Sequence, residues 1–248
     1  MRLTIRLVLA VLLTAVIWVV AAYQTFGAAN TVDVVYFYPK DQTVNQEYVD
    51  ALGPAMADIQ AWYGDQVGSP FTMTDVQVIQ GKSDAAQYQG DVWRSVLSEL
   101  GFWCGTGINV VIVHSSISYQ GGGSCDPPYE GGDRGGDAMA PETTLDGELG
   151  RCDLALWWCS LGGLAHDVGH AFSLPHPTGC GITWPDYCWE TLMWSWWEYP
   201  NIGLLDIPEA PEISSLQASG WFGGPGPGPE PTCTPKYNPH GKRVGKCR

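Results

Sequence analysis

Three of the chain's five histidines fall inside one segment, His166-Asp-Val-Gly-His170-Ala-Phe-Ser-Leu-Pro-His176. On a helix, positions four apart share a face about one turn from each other, so neutral imidazoles at His166 and His170 can reach one divalent ion. His176 cannot join along a continuous helix, because ten residues at about 1.5 Å each carry it about 15 Å along the axis. Pro175 supplies the turn. It disfavours helix at Leu174 and has no backbone N–H, so the helix should stop near Ser173 and let His176 swing back. Three nitrogen ligands leave a fourth tetrahedral position open, the arrangement of a catalytic rather than a structural zinc site. Zinc there lowers the pKa of water toward neutrality and polarises a carbonyl. Asp167 adjoins the first ligand and is the carboxylate placed to take the proton as general base. Isolated histidines would read as core or surface residues; three at this spacing beside a helix break read as ligands.

The elements that must position these side chains are legible from periodicity. Val32 to Tyr38 is β-branched and aromatic and ends at Pro39, which predicts a strand. From Gln46 to about Tyr63, apolar residues recur three or four apart at Tyr48, Leu52, Met56, Ile59 and Trp62 or Tyr63, an amphipathic helix. Phe71 to Ile79 reads as a second strand, Ala85 to Leu100 as a second helix, and Ile108 to His114 as a buried strand. Alternating strands and helices imply a sheet covered by helices. Asp137 to Pro141 has the look of a short edge strand. Leu154 to Phe172 reads as the buried helix that carries the histidines. Pro208 to Ser219 reads as a closing helix with Gly220 past its end. Eight of twelve tryptophans lie from Trp157 onward, so the second half should build its core from rings and bridges.

Composition limits the partners. The chain has 248 residues, 12 basic against 26 acidic side chains and a net charge of −14, which repels phosphate backbones and anionic membranes. No nucleic-acid partner is expected, and the protein is read as a monomer. Arg2 and Arg6 precede an uncharged run from Leu7 to Ala22 and then Gly27, Ala28 and Ala29, so residues 1–29 read as a secretory signal, with an uncleaved anchor as the alternative. A secreted, extracellular location makes disulfides the expected fate of cysteines 104, 125, 152, 159, 180, 188, 233 and 247; Cys233 with Cys247 is one local pairing. Residues 30–222 form the main domain, 223–232 a Gly/Pro linker and 233–248 a basic tail. Between Ser115 and Arg151 the glycine turns carry Asp126, Glu130, Asp133 and Asp137, oxygens of the kind that hold calcium, a plain surface loop being the alternative.

The histidine segment resembles the signature of the metzincin zinc peptidases, H-E-x-x-H-x-x-G-x-x-H followed by a methionine-containing turn. All three histidine spacings agree, and Glu190-Thr-Leu-Met193-Trp-Ser resembles the turn, which places Met193 beneath the metal. The resemblance, matrixin-like in type, covers about residues 31–222. It implies an α+β fold with a twisted mixed sheet, two packing helices and an active-site helix, then an irregular, disulfide-rich C-terminal subdomain. The implied function is a secreted zinc-dependent endopeptidase acting on a protein or peptide substrate. Two positions depart from the pattern. Asp167 stands for Glu and is one methylene shorter; Ser173 stands where Gly accommodates a left-handed turn. Tyr187 and Tyr199 are phenols available to a tetrahedral intermediate. Two alternatives follow: a metzincin-fold binding protein weakened in catalysis, and an HD-type phosphohydrolase, since His166-Asp167 also resembles that all-helical family's motif. The latter lacks helical partners, and His114 ends a strand.

Overall fold

The structure, a computed structural model, describes residues 30–102, 107–119, 121–123, 136–151, 161–180 and 185–223. The signal-like segment, residues 224–232 of the Gly/Pro linker, the basic tail with Cys233 and Cys247, and the acidic side chains of Asp126, Glu130 and Asp133 lie outside these residues. Among the described residues no helix is long and apolar enough to cross a membrane.

A six-stranded mixed sheet forms the frame. β1 (Thr31–Tyr38) pairs in parallel with β2 (Thr72–Met73) and β3 (Gln77–Gln80) on one side and with β4 (Ile108–Val113) on the other. Beyond β4 come β6 (Asp137–Pro141), also parallel, and β5 (Gly122–Gly123), antiparallel at the edge. Side chains alternate faces along each strand, and the core divides accordingly. Val32, Val34 and Tyr36 join Ile108, Val110, Ile112, Ala138 and Ala140 in one apolar cluster; Val35, Phe37, Val111, Val113 and Met139 point into another. The first face is covered by α1 (Gln46–Val67) and α3 (Leu161–Ala171), the second by α2 (Val92–Leu100). Sheet burial on both faces explains why β1 and β4 are almost continuously apolar. This mixed sheet is not part of the all-helical fold that the HD resemblance implies.

Several expected elements are rearranged. Phe71 to Ile79 is two short strands, β2 and β3, interrupted at residues 74–76, where Thr74 Oγ1 accepts from Val34 N–H and fixes the break. Ala85 to Leu100 is a single 3-10 turn, Ala85–Tyr88, then α2. Asp91 starts the new helix by accepting from Arg94 N–H at 3.1 Å. β6 is interior rather than an edge, because β5 pairs with its far side. The histidine helix is described from Leu161, and the preceding residues 152–160 are outside the described set. Pro208 does not open the closing helix: a short hairpin, β7 (Asp206–Ile207) with β8 (Ala210–Pro211), comes first, and α5 spans Glu212–Ala218 after the four-residue α4 (Leu192–Ser195). Of the expected bridges, Cys180–Cys188 is formed, and these are both of the cysteines among the described residues.

Candidate metal centre

The three histidines converge. His170 Nε2 lies 3.2 Å from His176 Nε2, and His176 Nε2 lies 3.3 Å from His166 Nε2. Two nitrogens bound tetrahedrally to one zinc at about 2.0–2.1 Å are separated by about 3.3 Å. Both separations therefore match those of two nitrogens on a single ion. All three ligand atoms lie within 4.8 Å of one another, and no other group of three His, Cys, Asp or Glu gathers this closely among the described residues.

The tautomers are set by what lies behind the rings. His166 Nδ1 faces the Leu192 carbonyl at 3.0 Å, and His170 Nδ1 faces the Leu174 carbonyl at 2.7 Å. A carbonyl only accepts, so each Nδ1 carries the hydrogen and each Nε2 keeps its lone pair for the centre. Loss of hydration, then repulsion from neighbouring rings, lowers His166 to about 3 and His170 to about 4, each opposed by its carbonyl bond. Loss of hydration also lowers His176. Neutral imidazoles are the form that binds metal.

Ser173 makes the return of His176 possible. Its φ is 69°, the left-handed conformation, and Ser173 N–H and Leu174 N–H bond back to His170 and Gly169 carbonyls at 2.8 and 3.0 Å. The serine thus adopts the left-handed conformation that glycine takes most readily.

Met193 lies against α3 between the first two histidines. A Cβ on Gly169 would sit 2.5 Å from Met193 Sδ and 2.8 Å from the Tyr63 hydroxyl, so only glycine permits this approach. Tyr63 Oη donates to the Ala165 carbonyl at 2.9 Å and ties α1 to the same helix. At the first turn of α3, a Cβ on Gly162 would overlap the Trp196 carbonyl oxygen, so the segment after α4 presses on the helix there. The Trp194 ring stands edge-on to His176, with centroids 5.9 Å apart.

Asp167 is half-buried and turned toward β5, where its carboxylate accepts from the Gly122 backbone N–H. Loss of hydration raises it to about 7 against that bond. It is not one of the gathered ligand atoms. The other candidates are committed elsewhere. Tyr187 Oη donates to the Thr178 carbonyl, and Tyr199 is buried with its ring 5.5 Å from Trp62. His114 Nδ1 pairs with Ser116 Oγ at 2.9 Å. Asp137, one of the four possible calcium oxygens, is buried in the sheet and accepts from Asn109 Nδ2 at 2.5 Å.

Residues that periodicity and spacing passed over complete the surroundings. Thr191 caps α4, its Oγ1 accepting from Met193 N–H at 3.1 Å and donating to Glu212, 2.6 and 2.7 Å from the two carboxylate oxygens. Thr191 before a short apolar run was a visible cap signal; Glu212, twenty-one residues away, had none.

No protein-family model matches the chain. No curated protein matches it either. Among solved structures, it is similar to wild-type OgpA from Akkermansia muciniphila, with 21% identity and a TM-score of 0.45 over 63% of this chain and 52% of that one. It is also similar to catalytically inactive OgpA from the same organism in complex with an O-glycopeptide substrate, glycodrosocin, with 19% identity and a TM-score of 0.42 over the same shares. The chain spans about half the length of these structures.

Proposed function

We propose that the chain is a secreted zinc-dependent endopeptidase in which His166, His170 and His176 hold the metal and Asp167 is the general base. The observation that carries this reading is the convergence of three Nε2 atoms, two of the rings being fixed from behind in the ligand tautomer. Zinc bound there supplies an activated water and polarises the scissile carbonyl. The chain's own residues supply the rest. The Leu192 and Leu174 carbonyls orient His166 and His170. Ser173 and Pro175 turn the chain so that His176 closes the set. Asp167, aligned by the Gly122 amide beside the edge strand, takes the proton from the attacking water and delivers it to the leaving amine. The same bond from Gly122 favours a second reading, a binder that keeps the metal without turnover, because it holds the short carboxylate against β5. Bound calcium is a separate proposal and would draw on Asp126, Glu130 and Asp133, since Asp137 is already paired.

The test is metal content by mass spectrometry together with cleavage of unfolded casein. Wild type should carry one zinc, and His176→Ala should lose it. Asp167→Asn should keep the zinc and lose at least about 100-fold in cleavage, the contribution of a positioned base. Chelator-insensitive cleavage, or a wild type that takes up no metal, would remove the endopeptidase assignment; one zinc without cleavage would leave the binder.

A further inference from the structure

We infer that Glu212, on the closing helix, is a positioning residue for the metal centre: through Thr191 it fixes the turn whose Leu192 carbonyl holds His166 in its ligand tautomer. The inference rests on the metal-site reading above and assigns a role to a residue far from the ligands in sequence.

The two Nδ1 contacts differ in kind. His170 is served by Leu174, four residues along and itself bonded to the end of α3, so that contact is local. His166 is served by Leu192, twenty-six residues away, on a separate four-residue helix. Such a short helix does not hold itself in place. Its position comes from outside. Leu192 N–H donates to the Gly203 carbonyl at 2.9 Å, whereas the bond from Ser195 N–H to the Thr191 carbonyl is the helix's own. The Thr191 hydroxyl, buried, has one hydrogen; with it directed to the Glu212 carboxylate, a lone pair remains to accept from Met193 N–H. Glu212 Oε2 also accepts from Leu205 N–H at 2.8 Å, joining the turn to the strand-side segment before α5. Both ends of the Leu192 peptide are thereby held, and its oxygen points at His166.

Filling space does not account for this carboxylate. Glu212 is only 2% exposed, and an apolar side chain of similar volume would occupy the site without the cost of removing a carboxylate from water. What an apolar side chain cannot do is orient the Thr191 hydroxyl.

The experiment uses Thr191→Val, nearly isosteric but without the hydroxyl, Thr191→Ser, which retains it, and Glu212→Met, which keeps volume but replaces the carboxylate with a thioether, a weak acceptor. Imidazole ¹⁵N spectra of the metal-free full chain at about pH 8 report the tautomer of each histidine. Wild type and Thr191→Ser should show His166 as the Nδ1–H form. Thr191→Val and Glu212→Met should show a tautomer mixture at His166 while His170 stays unchanged as the internal control. Zinc affinity, by competition with a chelator, should fall about 10–100-fold in those two variants and stay at the wild-type level in Thr191→Ser. His166 retained as Nδ1–H in Thr191→Val would overturn the inference, and that variant carries the test if Glu212→Met does not fold. Zinc uptake by wild type decides the reading of the site; the tautomer in metal-free protein decides the role of Glu212, so the two can fail separately.

Discussion

Ser173 holds a conformation that costs a residue with a Cβ about 1–2 kcal/mol and costs glycine nothing. Ser173→Gly should therefore raise stability, by about 0.5–1 kcal/mol once the greater freedom of glycine in the unfolded chain is subtracted. Urea unfolding checks this, and a midpoint that drops would mean that the serine side chain supports the turn. Gly169 is the opposite case. Its missing Cβ is the space occupied by Met193 Sδ and the Tyr63 hydroxyl, both closer than a Cβ tolerates. Gly169→Ala should cost about 1–3 kcal/mol by overpacking and weaken zinc binding as well, because relief requires Met193 or α3 to move. Equal destabilisation with unaltered zinc affinity would show that the contact is packing alone. The histidine spacing was legible in the sequence because four-residue and proline rules are local. The reason for glycine at position 169 was not, because it depends on residues 63 and 193.

Among the elements, the outcome follows the range of the forces. β1 and β4 were legible as continuous apolar, β-branched runs and α1 by its periodic apolar face, and α1 simply runs on to Val67 before Gly68 ends it. The expectations that changed, the split of Phe71–Ile79, the restart at Asp91 and the interior place of β6, were decided by one capping or pairing partner. The arm that returns His176 is another element of this sort. It is closed by Cys180–Cys188, a bridge that spacing alone could not select among eight cysteines. For a loop this short, the chain-entropy relation gives about 2.5 kcal/mol. Replacing both cysteines by serine should lower unfolding free energy by about that amount. It should also weaken zinc binding, since His176 lies four residues before the bridge while His166 and His170 sit on α3. Loss of stability with full zinc affinity would show that Pro175 and Ser173 hold the arm unaided.

At the scale of the whole molecule, the acid-rich composition leaves Asp33, Asp58, Asp137, Glu142 and Glu212 buried among the described residues, and Glu212 and Asp137 of these share no partner. Glu212, under the Met193 turn, is raised by burial to about 7, against bonds from Thr191 and Leu205. Asp137, in the sheet, is raised by burial to about 6, against its bond from Asn109. For an acid with a raised pKa in the folded state, the folded protein binds more protons than the unfolded one between the two values. Its contribution is fully present below the unfolded pKa and is lost as pH rises through the folded one. Each group should thus remove on the order of 3 kcal/mol between about pH 4 and pH 8. Self-repulsion from a net charge of −14 acts in the same direction. Metal-free protein should then be more stable at pH 5 than at pH 8. Glu212→Gln and Asp137→Asn, neutral at every pH, should each flatten that slope, and their effects should add because they share no partner. Unfolding free energies at four or five pH values decide the point. A slope identical to wild type in Asp137→Asn would mean that this carboxylate is ionised without cost in the folded chain, and that the bond from Asn109 outweighs its burial.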